Sequence, residues 1–198
     1  MFALLAGLPV AACGQSFDPT GPCTTDGSAS GAYPELEAAV PTSLGGSPPG
    51  DLDSGRACTA AGLGTLASHG VTEFRFAGAT WERGSDSGTS LAIFTDPDGP
   101  ALQPEWVAEF YEAGARAASK VDSVAASEYS IDDTAKGRRI DVINDESYQT
   151  IVVFERNGQV AIALVANAIR RVQTKEAHEA DVRTAVDSFG VPVTGESG

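Results

Sequence analysis

The chain has 198 residues, enough for one domain with flexible ends or a tether. Its 27 acidic and 13 basic residues leave a formal net charge of −14, which favours solubility and repels nucleic acid and anionic lipid headgroups. The basic clusters Lys136-Gly137-Arg138-Arg139 and Arg170-Arg171 are too small to reverse that balance, which argues against a nucleic-acid partner.

The chain opens on an uncharged run, MFALLAGLPVAAC. As a helix, thirteen residues rise about 20 Å, short of a hydrocarbon core of about 30 Å, so the run is no spanning helix. Its leucines and small residues instead have the composition of a secretory h-region. Val10-Ala11-Ala12-Cys13 resembles the lipobox of bacterial lipoproteins, a branched aliphatic and two small residues before an invariant cysteine. That resemblance covers the first thirteen residues. It implies cleavage before Cys13, lipidation of the Cys13 thiol, and anchoring on the extracytoplasmic face of a bacterial membrane, with conventional secretion as the alternative. One departure from the family pattern is that no Lys or Arg precedes the apolar run. Either the translated start lies upstream of Met1 or the signal does not work; the first reading is favoured.

Three cysteines is an odd number for an exported protein. If Cys13 carries lipid, Cys23 and Cys58 remain as a disulfide pair in an oxidising compartment, against the alternatives of two free thiols or a metal pair. The chain-entropy model gives such a loop roughly 4 kcal/mol. His69 and His178 are the only histidines, and neither they nor the cysteines have metal-ligand spacing, so no metal or cofactor is expected.

Residues 14–31 are rich in Gly, Ser, Thr and Pro without periodicity and read as a tether. In YPELEAAVPTSLGG, Leu36, Ala39 and Val40 share a face over one or two helical turns. SPPGDLDSGRAC is extended or looped, because Pro48 and Pro49 exclude a helix interior. TAAGLGTLASHG reads as a short helix capped by Thr59 and ended by Gly70.

Phe74 and Phe76 alternate with Glu73 and Arg75, the mark of a half-buried strand. TSLAIFTD pairs with it through the turn at residues 84–88. PEWVAEFYEAGARAASK is the clearest helix, with Pro104 near its first position and Trp106, Phe110, Val107 and Tyr111 on adjoining stripes. EYSIDD reads as a short strand. GRRIDVIND and YQTIVVFERNGQVAIALVAN supply three more, the last two joined by the favoured Asn157-Gly158 hairpin turn. The near-continuous apolar character of that hairpin places it centrally, covered on both faces. The final helix, TKEAHEADVRTAVDSFG, puts His178, Val182, Ala185 and Phe189 on one side and ends at Gly190.

The expectation is an α+β domain: an antiparallel sheet of about five to six strands packed by a long central helix and a C-terminal helix. In element order it resembles the PsbP-like α/β/α sandwich of exported accessory proteins, a likeness of layout that no motif carries. The chain divides into a signal peptide (1–12, its start lying upstream), lipidated Cys13 with a flexible tether (13–31), one domain (32–190) and a disordered tail (191–198).

Chemistry is sparse. The turn-like Gly-Ser-Asp-Ser-Gly around Asp86 has aspartate where a nucleophile elbow needs serine. Asp53-Ser54-Gly55 likewise reads as a turn. Asp96-Pro97-Asp98-Gly99 lacks the later ligands of a calcium loop, and Asn144 to Ser147 reads as a hairpin tip. His69 fits a helix C-terminus, His178 a half-packed position, and Trp81 and Trp106 the core. The function expected is therefore a lipid-anchored binding or accessory domain without catalysis, its protein or small-molecule partner unidentified. The rivals are a secreted enzyme with a site assembled from distant residues, and a structural spacer.

Overall fold

The computed structural model describes residues 17–97, 102–131, 135–172 and 174–190. Eight strands form one antiparallel sheet: β1 (Gly27–Ala29), β2 (Asp51–Ala57), β3 (Phe74–Glu82), β4 (Gly88–Thr95), β5 (Ser123–Ser130), β6 (Lys136–Ile143), β7 (Ser147–Arg156) and β8 (Gln159–Ala168). Their order across the sheet is β1-β2-β3-β4-β8-β7-β6-β5. Two four-stranded meanders thus meet along β4 and β8, with Ala92 opposite Ile162 at the seam. The apolar hairpin β7–β8 is central, as its composition requires, and turns at Asn157 and Gly158, both at positive φ.

Three strands run beyond the sequence reading. β1 is three polar residues inside the segment taken for a tether; β2 carries no apolar alternation; β5 starts at Ser123, upstream of the EYSIDD stretch. All three lie at or near the sheet edges, where half the backbone bonds and little apolar burial suffice, so their side chains leave a weak pattern.

The tether is corrected with them. From Phe17 onward the chain lies on the domain: Arg56, 5 % exposed, donates to the carbonyls of Gly21, Asp18 and Pro22. Asp26 accepts from the backbone N–H groups of Cys58 and Thr59 and from the Thr59 hydroxyl. Cys23 and Cys58 form a disulfide. Buried polar contacts replace the apolar periodicity by which a core segment is usually read.

Helices cover both faces. On one, α3 (Pro104–Ala117) packs over β5, β6 and β7 and a 3-10 turn (Gly64–His69) that follows α2 (Ala60–Leu63). Val107 and Ala115 are buried there against Ile140, Ile151 and Val153. On the other, α1 (Pro34–Glu37) and α5 (Lys175–Asp187) cover Ala77, Ile93, Val152 and Val165. Thr174 caps α5 by accepting from Ala177 N–H at 3.2 Å, and α4 (Ile169–Val172) is a single turn before it. The long helix is thus not central: it and the C-terminal helix lie on opposite faces of the sheet. No helix among the described residues is long and apolar enough to cross a membrane.

Candidate functional site

The sheet half formed by β2, β3 and β4 is left partly bare on the α3 face. Its cross-strand pairs there are Asp53–Gly78, Gly78–Ala92 and Thr80–Ser90, all small or polar. Because side chains alternate between faces, the residues between them, Ala79, Leu91 and Ile93, point into the opposite core. A cleft of about 330 Å³ results. Gly78 and Ala92 form its floor, Ile162 and Leu164 one wall, and aromatic rings the other.

Those rings hold one another. Phe74 stacks on Phe94 at 4.8 Å, Phe110 meets Phe74 edge-on at 6.3 Å, and Tyr111 meets Phe110 edge-on at 5.5 Å. Mutual packing of this kind fixes rotamers, so the apolar wall is preformed. Asp53, Ser28, Thr80 and Ser90 add polar groups, with the last two hydroxyls 3.4 Å apart. Burial pushes the Tyr111 phenol well above its ordinary value, so it stays a neutral hydroxyl at physiological pH. The arrangement offers apolar burial and a few hydrogen-bonding groups; neither histidine lines it.

His178, expected to half-pack on the sheet, is 2 % exposed on the buried side of α5, on the opposite face of the sheet. Arg83 donates to Asn167 Oδ1 at 2.9 Å, and Asn167 Nδ2 donates to Asp181 at 2.8 Å, which fixes the amide's orientation. That same Nδ2 then donates to His178 Nδ1 at 3.1 Å. The imidazole proton therefore sits on Nε2, donated to Thr150 Oγ1 at 2.9 Å, and the Thr150 hydroxyl donates onward to Asp141 at 2.7 Å. Arg139 bonds both Asp141 and Glu179. Burial lowers the His178 pKa; the Arg139 hydrogen bond lowers that of Glu179. Burial pushes the Asp141 carboxyl up, but hydrogen bonds from Arg139 and Thr150 outweigh it and leave a net lowering. Each member has a partner, as buried polar groups require, and the network pins α5 to β6, β7 and β8.

The other singled-out residues serve local structure. His69, at the end of the 3-10 turn, stacks on Trp106 at 4.8 Å and bonds Glu109 at 2.8 Å. Trp81 is core, its indole N–H donating to Ser47 O. Asp86 accepts from Arg170 and Arg171, and those bonds, Arg170 first, hold its carboxyl below the usual range. Asn144 Oδ1 accepts from the Glu146 and Ser147 amides, a hairpin tip. Asp53-Ser54-Gly55, read as a turn, is instead mid-strand in β2. Ser54 faces α1 and donates to Glu37, while Asp53 faces the cleft. Cys13, and Asp98 and Gly99 of the Asp96–Gly99 stretch, lie outside the described residues. Among those described, no group of three His, Cys, Asp or Glu residues is placed to hold a metal ion.

The cleft itself was missed in the sequence. Phe-x-Phe-x-Gly-x-Thr in β3 and Ser-x-Ala-x-Phe in β4 put large and small residues at opposite ends of one face, but only their cross-strand register turns those patterns into a cleft. No family model, curated protein or solved structure matches this chain.

Proposed function

We propose that this chain is an extracytoplasmic binding domain, anchored through lipidated Cys13, that takes a small, largely apolar ligand into the cleft between α3 and β3–β4 and does no chemistry on it. The observation that carries the reading is a preformed aromatic wall facing a floor of Gly78 and Ala92. Apolar concavities with a few convergent polar groups are the usual form of a small-molecule site. The Cys23–Cys58 bond fits an oxidising compartment and so supports export.

The enzyme reading has one observation behind it, the cluster of Arg139, Asp141, His178, Glu179 and Asp181. His178 is buried on the sheet-facing side of α5, however, and both its ring nitrogens are engaged within the cluster. A buried, mutually satisfied cluster serves packing better than catalysis. The spacer reading requires a body without concavity, which the cleft disfavours.

The test is occlusion. A Cβ on Gly78 would meet Ala92 Cβ and Leu91 O at 3.7 Å, ordinary contacts, so Gly78→Leu fills the cleft from its floor without displacing backbone. Saturable binding of the neutral dye N-phenyl-1-naphthylamine should weaken by about tenfold or more in this variant, with the thermal midpoint kept. Unchanged dye binding would remove the cleft from consideration.

A further inference from the structure

We propose that the cleft's ligand carries a positively charged amino group on its apolar body; this rests on the cleft being the binding site. Asp53 pairs with Gly78 across β2 and β3, so its carboxylate stands on the cleft face opposite a residue with no side chain. It is half-buried and makes no ion pair or side-chain hydrogen bond with any described residue. The nearest arginines in the two strands are committed on the other face. Arg56 holds the carbonyls of residues 18, 21 and 22, and Arg75 lies over the Tyr33 ring at 4.9 Å.

A half-buried carboxylate without a partner among the described residues is favourably placed for a cation from outside. An ammonium group brings three donors. Asp53 offers the charged acceptor, and Ser28, Thr80 and Ser90 add hydroxyls to the same lining. Phe76, Phe94 and Tyr111 are also in the lining, and aromatic rings of this kind attract a cation that comes over their faces. A carboxylate or phosphate head finds the reverse: no Lys, Arg or His lines the cleft, and the chain's net charge of −14 opposes its approach.

Three eight-carbon probes with one tail and different heads separate the possibilities: octylammonium, 1-octanol and octanoate, titrated calorimetrically into the disulfide-intact protein at neutral pH. Octylammonium should bind about tenfold tighter than octanol, with octanoate weakest. Asp53→Asn, which keeps shape and removes charge, should bring ammonium level with octanol and leave octanol binding unchanged. Gly78→Leu, or Ala92→Leu if the first variant folds poorly, should abolish binding of all three. Equal affinities, a preference for octanoate, or an ammonium preference that survives Asp53→Asn would overturn the amino-group proposal. If binding is still lost on filling the floor, the cleft reading stands. Failure of every probe to bind, or binding indifferent to both filling variants, would overturn the two together.

Discussion

At the scale of single residues, two glycines in paired strands carry opposite requirements. A Cβ on Gly55 would overlap Gly27 O, the Phe76 ring and Ser28 Cβ, because β1 crosses β2 too closely to admit one. Gly55→Ala should therefore cost about 1–3 kcal/mol, read from urea unfolding, and loosen β1. At Gly78 the same methyl meets only ordinary contacts, so Gly78→Ala should change stability by less than about 1 kcal/mol. The equivalent loss at both sites would mean that general strand flexibility, not local clearance, sets these costs. Neither role was legible in the sequence. Whether a glycine leaves room for a ligand or for a neighbouring backbone depends on its cross-strand partner, Ala92 in one case and Ser28 in the other.

At the scale of elements, α5 illustrates how a helix can be recognised while its docking is not. His178, Val182 and Ala185 shared the buried face expected from their spacing, but the partners beneath them come from β6, β7 and β8. Burial of the imidazole on that face makes docking sensitive to acid. The folded-state pKa of His178 is lowered by burial, so the unfolded chain binds the proton first, and stability falls as pH drops below about 6.5, the unfolded value. Asp141 and Glu179, held low, add stability that is lost only at more acid pH, below their ordinary values of 3.8 and 4.5. The thermal midpoint should thus be level above neutrality and decline between pH 7 and 5. His178→Asn should remove that decline. A decline of the same size in the variant would place the acid sensitivity elsewhere. Thr150→Val leaves the imidazole Nε2–H and Asp141 short of a partner and should cost about 1–3 kcal/mol at pH 7.5.

At the scale of the whole molecule, the disulfide, Arg56 and Asp26 bind the N-terminal segment onto the first meander. The bond spans 35 residues, and its reduction should lower stability by roughly 4 kcal/mol in the chain-entropy model, measured by denaturant unfolding with and without a reductant. β1 goes with it, and Ser28 of β1 is part of the cleft's lining. Four residue steps separate Cys13 from Phe17, at most about 14 Å of extended chain. An anchored body would consequently lie against the membrane surface, where the expected tether through residue 31 would have let it roam. Expression with the native leader in a lipoprotein-competent host tests the anchor. Intact mass should show an acylated Cys13 at the N-terminus, and Cys13→Ala should move the protein from the detergent phase to the aqueous phase. A wild-type protein that is aqueous and unmodified would end the anchored reading.

What the sequence determined by itself was local. The Asn157-Gly158 turn, the amphipathic helices, the apolar central hairpin and the Cys23–Cys58 pair each rest on residues near one another in the chain or on composition. The tertiary structure alone decided the rest: the edge strands, whose backbone bonds leave little trace in side chains, the polar seat of His178, and the cleft. The cleft needs small residues of β3 and β4 to align across a register while α3 settles over the other meander. Empty space is a property of what fails to meet in three dimensions, and no single stretch of chain encodes it.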